Sequence, residues 1–217
     1  MALWVMKSAK LVRLLIISIG LTRVPTKNRK TVSYTDKISH NGISYKINGS
    51  KTLGVYLQLI HKAIEQLEIC ESKWGRVFVM RFDLRQTVLT GDSKMLTMFR
   101  KNLKRRLERE YRMPEMGYLW VREKEKAKQQ HYHFVIFLDG DKIKHPSAII
   151  NVISDTWGEL KAGKKGNTVG YVKRCFYNVV DRDTKANAIY RISYLGKCRG
   201  KGYRPPQAKD YGASRFR

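Results

Sequence analysis

Cysteine is scarce in this sequence: its 217 residues include three, Cys70, Cys175 and Cys198. Because their number is odd and their spacing is wide, they indicate neither a disulfide framework nor a paired zinc knuckle. We therefore expect the protein to work in a reducing compartment, the cytoplasm.

A long apolar segment is also missing. After Lys7, Lys10 and Arg13, an apolar run extends over residues 14–21, which is too short to cross a bilayer, since that distance takes about 20 residues. The segment 22–25 has no small-residue cleavage site of the kind that follows a secretory signal. We expect a packed helix or a frayed terminus here, and no membrane partner.

Acidic residues are few relative to basic ones. The sequence has 18 Asp and Glu against 44 Lys and Arg, a formal net charge of +26, which predicts a polyanionic partner. The basic residues are spread through every segment and are not gathered beside one apolar helix, as a membrane-surface protein would have them. Composition therefore favours nucleic acid as the partner.

The sequence also contains a predicted strand with two histidines. His131 and His133 are one residue apart and precede the apolar run 134–138, so their side chains should share one face of a buried strand. The preceding strand, over residues 118–123, ends at Glu123, and a hairpin loop of three or five residues would set Glu123 across from His131. Two imidazoles and a carboxylate leave coordination positions open for water and phosphate, which suits Mg²⁺ or Mn²⁺. Zinc is a chemical alternative as the metal, and Glu125 is a reserve for the third ligand. A simpler interpretation is that the two histidines are exposed strand residues without a metal.

A second motif lies some sixty residues later. Asp183 and Thr184 can cap a helix whose apolar positions continue to Leu195, and at 100° per residue Tyr190, Tyr194 and Lys197 fall within about 60° of one another. Two phenols and an ammonium group thus share the face away from the apolar stripe. Aromatic residues at i and i+4 also pack together simply as surface or core residues.

The combined motifs resemble a known superfamily. His-Tyr-His on a strand followed by Tyr-x-x-x-Tyr-x-x-Lys on a helix is similar to the two-tyrosine rolling-circle replication initiators of the HUH endonuclease superfamily. The order of segments 78–84, 120–123, 131–133, 194–197 and 211–215 resembles the inovirus-type replication proteins of filamentous phages and their integrated relatives. The resemblance covers roughly residues 76–217.

The resemblance implies a function. It implies that Tyr190 and Tyr194 divide the cleavage and rejoining of a single-stranded DNA origin through a 5′-phosphotyrosyl intermediate, with Lys197 favouring the developing charge. A host helicase and polymerase are further candidate partners, in the host cytoplasm if a phage encodes the chain. Three alternatives stay open: a mobilisation relaxase or transposase of the same chemistry, a basic single-strand-binding module without activity, and a zinc-dependent hydrolase, for which further His or Cys ligands are lacking nearby.

Basic side chains supply candidate nucleic-acid contacts. A helix after Asp92 or Ser93 should turn its apolar residues inward and leave basic residues outside, either as a solvated face or as a phosphate-contacting one. Arg81 shares a strand face with Asp83, suited to solvent or to the cleft, and the tail from residue 198 is basic and rich in turns. The predicted nucleic-acid-binding residues are Arg81, Arg122, Lys104, Arg105 and Arg204.

The alternation of strands and helices predicts the architecture. We expect an α+β fold with an antiparallel sheet of four to five strands, flanking helices on one main face and the metal at the open sheet centre. The superfamily resemblance adds the replication-initiator palm. Residues 1–72 are predicted to form a helical and irregular appendage, with an amphipathic helix over 52–69. Residues 73–217 are predicted to form the nicking domain.

Overall fold

The computed structural model of the chain describes residues 31–88, 90–124, 130–160, 166–201 and 209–215. Within these ranges the helices are α1 (Leu57–Trp74), α2 (Lys94–Tyr111), α3 (Ile150–Gly158) and α4 (Arg182–Ile192). The strands are β1 (Val32–Ser33), β2 (Lys37–His40), β3 (Ile43–Lys46), β4 (Val55–Tyr56), β5 (Val77–Arg85), β6 (Gly117–Glu123), β7 (His131–Asp139), β8 (Thr168–Val179) and β9 (Tyr211–Ala213). Short 3-10 turns cover Pro146–Ala148 and Ser193–Gly196.

Five strands form the main sheet, in the order β8-β5-β7-β6-β9, and every neighbouring pair is antiparallel. The predicted α+β class with an antiparallel sheet of four to five strands is confirmed. The helices flank this sheet on both faces and not on one main face, because both faces of the strands carry apolar residues that must be buried. Among the described residues, the structure has no helix with both the length and the apolar character that a bilayer crossing requires.

The two faces of the sheet carry different cores because strand side chains alternate. One face, called here the back face, packs against α2 and α3 through an apolar core that includes Phe82, Phe134 and Trp157. Phe99 of α2 meets Phe134 edge-to-face, with ring centroids 5.6 Å apart, and burial of each such ring stabilises the fold by about 1.5–3 kcal/mol.

The other face, called the site face, packs against α1 and α4. Its apolar half, which includes Val79, Val135 and Phe137, lies under Ile64 and Ile189 of these helices. The half of the site face nearer His131 is polar. Helices α1 and α4 thus cover only the apolar half of the site face, and the polar half lies beside them.

Residues of the predicted N-terminal appendage pack on the site face. Asn41 and Gly42, with φ of 49° and 77°, form the two-residue turn between β2 and β3, where both positive φ values match the preferred hairpin geometry. Ile38 and Tyr45 of this hairpin join the core that α1 and the sheet build. The described part of residues 1–72 thus shares a hydrophobic core with the sheet; the boundary at residue 72 stays a prediction.

The tyrosine helix is shorter than its periodicity predicted. Helix α4 ends at Ile192 and a 3-10 turn follows, so Tyr194 and Lys197 do not continue one α-helical face with Tyr190. The reason is tertiary pairing: Cys198 N–H donates to the Gly54 carbonyl, and Lys197 forms a bridge with Val55. These contacts with β4 draw the chain away from the helix axis.

Candidate functional site

The candidate metal ligands lie at one end of the hairpin formed by β6 and β7. Glu123 is the direct cross-strand partner of His131, and His133 lies two residues further along the same face. The connecting segment has seven residues, an odd number as the pairing requires but longer than the three or five expected. The predicted pairing of Glu123 with His131 is confirmed.

The three side chains converge. The Nε2 atom of His133 is 2.9 Å from Glu123 Oε2, and the Nε2 atom of His131 is 3.7 Å from the same oxygen. One ligand atom from each residue lies within 4.8 Å of the other two. Two imidazole nitrogens and a carboxylate oxygen are ordinary donors for divalent cations, so Glu123, His131 and His133 form a cluster that can hold a metal ion.

Asp83 completes the arrangement from the neighbouring strand β5. It is the cross-strand partner of His133, and its Oδ1 atom lies 2.6 Å from His133 Nδ1. A carboxylate that binds the second ring nitrogen fixes the tautomer and the orientation of a ligand histidine. Asp83 thus leaves His133 Nε2 facing Glu123, where a metal ion would be bound.

Charges inside the cluster shift its acid–base equilibria. Burial alone would raise the pKa of Glu123, but hydrogen bonds to His131 and His133 and nearby positive charges outweigh it, so this pKa lies well below its usual value. Burial would lower the pKa of His133, yet its hydrogen bonds to Asp83 and Glu123 raise it. The pKa of Asp83 is lowered because its bond to His133 overcomes the cost of burial. Both carboxylates are therefore ionised at neutral pH.

Lys201 is an unexpected member of the cluster. Its ammonium group donates to Glu123 Oε1 at 2.5 Å and to the Lys197 carbonyl oxygen, and its side chain is 3% exposed. Burial lowers the pKa of Lys201, and the negative charge of Glu123 acts in the opposite direction. Lys201 binds one carboxylate oxygen of Glu123 and so directs the other, Oε2, towards the histidines.

Tyr194 lies beside the metal cluster. Its ring meets that of His133 edge-on, with centroids 5.5 Å apart. The guanidinium carbon of Arg81 lies 4.1 Å from the centroid of the Tyr194 ring, and Nζ of Lys197 lies 4.3 Å from it. The Tyr194 ring thus contacts two cations and lies next to His133, a candidate metal ligand.

Arg81 is buried within this site face. It is 4% exposed, its Nη2 atom is 3.6 Å from Asp83 Oδ1, and its buried Nε atom has no hydrogen-bond partner among the described residues. Burial lowers the pKa of Arg81, as expected for a cation removed from water. Of the predicted nucleic-acid contacts, Arg81 is the one that the structure brings to the site.

Tyr190 lies apart from this constellation. It is 41% exposed on the last turn of α4, and its backbone carbonyl accepts a hydrogen bond from Ser193. Among the described residues its ring has no contact with the metal cluster of the kind that Tyr194 makes. The structure therefore distinguishes the two predicted tyrosines.

The other predicted contacts lie elsewhere. Arg122 neighbours Glu123 in sequence but points to the back face, where it is 2% exposed and donates to Thr90 O and Gln130 Oε1; this leaves its guanidinium group no exposed surface for a phosphate. Lys104 and Arg105 are exposed on α2, on the side of the sheet opposite the metal ligands. Arg204, like the reserve ligand Glu125, lies outside the described residues.

Sequence reasoning could have found Asp83 but not Lys201. Asp83 follows Arg81 at the two-residue spacing of a strand, so both side chains could be placed on one face. Asp83 would lie against His133 if its strand paired with β7. The pattern of a single strand does not show which strand is its neighbour. Lys201 lies in a basic, turn-rich tail, where no local pattern distinguishes one lysine from the next. Its position depends on the folded path of residues 197–201.

Comparisons with known proteins give one result. Neither the curated proteins nor the solved structures contain a match to this chain. A family model, described as YagK/YfjJ C-terminal domain, matches residues 35–214. This match spans most of the chain, including the β2–β3 hairpin, the whole described sheet and all of the candidate metal ligands, and the chain therefore belongs to the YagK/YfjJ C-terminal domain family.

Proposed function

We propose that this protein is a metal-dependent enzyme that cleaves and rejoins single-stranded DNA through a covalent bond to Tyr194. The observation that carries the proposal is the position of the Tyr194 ring, between Arg81 and Lys197 and against the metal-ligating His133. The resemblance to two-tyrosine rolling-circle replication initiators supports the same chemistry. Replication initiation at a single-stranded origin is the biological role we propose.

The metal is proposed to be Mg²⁺ or Mn²⁺. The ligand set of one carboxylate and two imidazoles on the Glu123, His131 and His133 cluster suits Mn²⁺, and phosphate oxygens and water would fill its open positions. A divalent cation bound there would polarise the scissile phosphate. Asp83 and Lys201 hold His133 and Glu123 in place.

In the proposed cleavage reaction, Tyr194 is the nucleophile, and Arg81 and Lys197 stabilise charge. The phenol oxygen of Tyr194 forms a bond to phosphorus, the bond from phosphorus to the 3′ oxygen breaks, and the proton lost by the phenol is balanced by one gained at the leaving oxygen. Phenols are largely protonated at neutral pH, so Arg81 and Lys197 assist by stabilising negative charge as it develops. The products are a 5′-phosphotyrosyl enzyme and a free 3′-hydroxyl that can prime a polymerase.

Tyr190 is proposed to be the second tyrosine. It lies one turn before the 3-10 segment that carries Tyr194 and is 41% exposed, so a strand bound at the site can approach it. In this scheme Tyr194 makes the first cut, because it already lies at the metal cluster. Tyr190 would act on the regenerated origin while Tyr194 holds the displaced end.

The net charge of the chain supports a polyanionic partner, single-stranded DNA. A net charge of +26 supplies dispersed attraction to a phosphate backbone. A mobilisation relaxase or transposase would use the same chemistry on another target, and it would differ by failing to prime replication. A single-strand-binding module would retain DNA without forming any adduct.

The experiment compares two conservative variants. The chain is incubated with labelled single-stranded DNA tiles from the region flanking its gene and with Mn²⁺, and covalent adducts are resolved on a denaturing gel. Tyr194→Phe keeps the ring but removes the nucleophilic oxygen, so we expect it to abolish the first adduct. Tyr190→Phe should still form that adduct but fail to complete strand transfer. Adducts that persist in the double variant would disprove the assignment.

A further inference from the structure

A long groove crosses the free edge of the sheet. It lies between α1 and α2, passes over β9 and has a volume of about 2100 Å³; we call it the edge groove. Small-molecule sites are typically about 300–1,000 Å³ and largely enclosed, so the edge groove has the size of a site for a polymer.

The edge groove is basic. Its lining includes Lys101 and Lys104 of α2 and Lys209 and Arg215 on either side of β9. These four side chains belong to exposed residues, and none of them is held by a hydrogen bond or an ion pair with another described residue. The lining also holds two acids, Glu115, which is paired with Lys73, and Asp210. Basic residues outnumber these acids in the lining, so the net charge of the groove is positive and complementary to a phosphate backbone.

An exposed aromatic residue lies in the same groove. Tyr211 is the cross-strand partner of Val121, so it projects on the site face, as Glu123 does two residues beyond Val121. Its ring is 41% exposed. The next residue, Gly212, lies against the Trp120 ring, where a Cβ atom would come within 2.8 Å of the indole, so close packing of β9 on β6 fixes the strand that presents Tyr211.

The edge groove adjoins the metal cluster through one residue. Lys201 lines the groove and donates to Glu123 Oε1, whereas Glu123, His131 and His133 do not belong to the lining. The groove thus lies one side chain away from the candidate metal ligands.

We propose that the edge groove binds single-stranded nucleic acid, with Lys101, Lys104 and Lys209 on its phosphates and Tyr211 stacked on a base. The combination of a positive channel with an exposed aromatic platform is how proteins bind single strands without reading sequence. The proposal deepens the proposed function, because it gives the path by which the strand leaves the metal site. It also assigns a purpose to the basic side of α2, which faces away from that site.

The test measures noncovalent binding in a Tyr194→Phe background, so that no adduct forms. A fluorescent 30-nucleotide oligo(dT) is titrated with protein at several salt concentrations, and its anisotropy is recorded. Each lost phosphate contact on a single strand makes the slope of log affinity against log salt shallower by about 0.7. The Lys101→Ala/Lys104→Ala variant should therefore flatten the slope by about 1.4, while the control Lys37→Ala/Lys46→Ala, two exposed lysines of the β2–β3 hairpin, should not.

The aromatic contact has its own pair of variants. Tyr211→Ala should weaken binding about tenfold, as expected for the loss of one stacked base, whereas Tyr211→Phe should retain affinity because the ring remains. Tyr34→Ala serves as the control, since Tyr34 is 61% exposed and lies outside the groove. Thermal unfolding of each variant verifies that the fold is intact.

The outcomes separate this proposal from the proposed function. If wild-type protein forms no adduct but the groove variants still weaken binding selectively, the groove proposal holds and the nicking proposal fails. If adducts form and the groove variants behave like their controls, the groove proposal is overturned. Equal competition by polyglutamate, which has charge but no bases, would also overturn it, because it would indicate an acidic protein as the occupant.

Discussion

Two polar clusters, one buried and one partly buried, lie back to back at the same end of the sheet. The site cluster, on the site face, consists of Asp83, Glu123, His131 and His133, and the back cluster, on the back face, consists of Gln86, Arg122, Gln130 and Tyr132. Neighbouring residues in sequence supply both, since Arg122 precedes Glu123 and Tyr132 precedes His133. Strand alternation alone sends them to opposite faces.

The clusters differ in how their polar atoms are satisfied. In the back cluster Gln130 donates to Gln86 and to Tyr132, and Arg122 donates to Gln130, so the guanidinium, amide and hydroxyl groups pair among themselves. In the site cluster two imidazoles converge on one carboxylate oxygen. The hydrogen bonds of the back cluster stabilise the fold, whereas the converging nitrogen and carboxylate donors of the site cluster can hold a metal ion.

The largest expected difference between the clusters is in metal binding. His133→Ala removes a ligand nitrogen, so we expect Mn²⁺ affinity to fall by more than about a hundredfold and adduct formation to be lost. Retention of single-stranded DNA should remain, because it depends on dispersed charge. Calorimetric titration of Mn²⁺ and a filter-binding assay measure the two effects. An equal loss of DNA retention would instead show that His133 is needed for the fold.

A smaller effect is expected from the carboxylate behind the histidine. Asp83→Asn keeps the shape of the side chain but removes the charge that orients His133, so Mn²⁺ affinity should fall about 10- to 100-fold. Asp139→Asn is the matched control: it also removes one carboxylate charge, but at the end of β7 that lies away from His131 and His133. Titration of both variants with Mn²⁺ makes the comparison. Equal affinities would remove Asp83 from the metal centre.

Disruption of the back cluster should affect stability and leave the metal unaffected. Gln130→Ala removes the buried hydrogen bonds of this side chain with Arg122, Gln86 and Tyr132, which should lower the free energy of unfolding by about 1–3 kcal/mol. Gln58→Ala, the same change at an exposed position of α1, should cost less, because groups at an exposed position can hydrogen-bond to water after the change. Urea unfolding gives both values. A fall in Mn²⁺ affinity of the folded Gln130 variant would show that the two clusters are coupled through the sheet.

Much of this comparison could be predicted from the sequence. The two-residue spacing of His131 and His133 fixes their shared face, and strand pairing then brings Glu123 opposite His131. The apolar residues of α2, with Leu96, Phe99, Leu103 and Leu107 buried, follow the helical period as expected. These features depend on local periodicity, which the sequence expresses directly.

What could not be predicted depends on chain segments that meet only in the fold. The end of α4 at Ile192 results from pairing of residues 197 and 198 with β4, and the helical period of the residues themselves gives no sign of it. The same path brings Lys201 onto Glu123. The positions of Arg122 and Arg81 also differ for a reason outside local sequence. The side chain of Arg122 donates to Gln130 on the back face, and that of Arg81 lies over the Tyr194 ring on the site face.

The smallest expected effect is the pH dependence of the metal-free protein. Because the pKa of His133 is raised in the fold by Asp83 and Glu123, its protonated form stabilises the folded state. This contribution is fully present below the unfolded pKa, about 6.5, and is lost as the pH rises through the raised value. With chelator present, we therefore expect the free energy of unfolding to decrease as the pH rises above about 6.5.

Bound metal should remove this decline, because a ligand histidine must be neutral. With Mn²⁺ present, the folded state holds no proton on His133, so stability should rise only up to about the unfolded pKa, about 6.5, and stay level at higher pH. Asp83→Asn should weaken the metal-free trend, since it removes one cause of the raised pKa, whereas Gln130→Ala should lower stability at every pH and preserve the trend. Urea unfolding of the three proteins from pH 6 to pH 9, with Mn²⁺ and with chelator, makes the measurement. Parallel curves in the two conditions would contradict a metal site that includes His133.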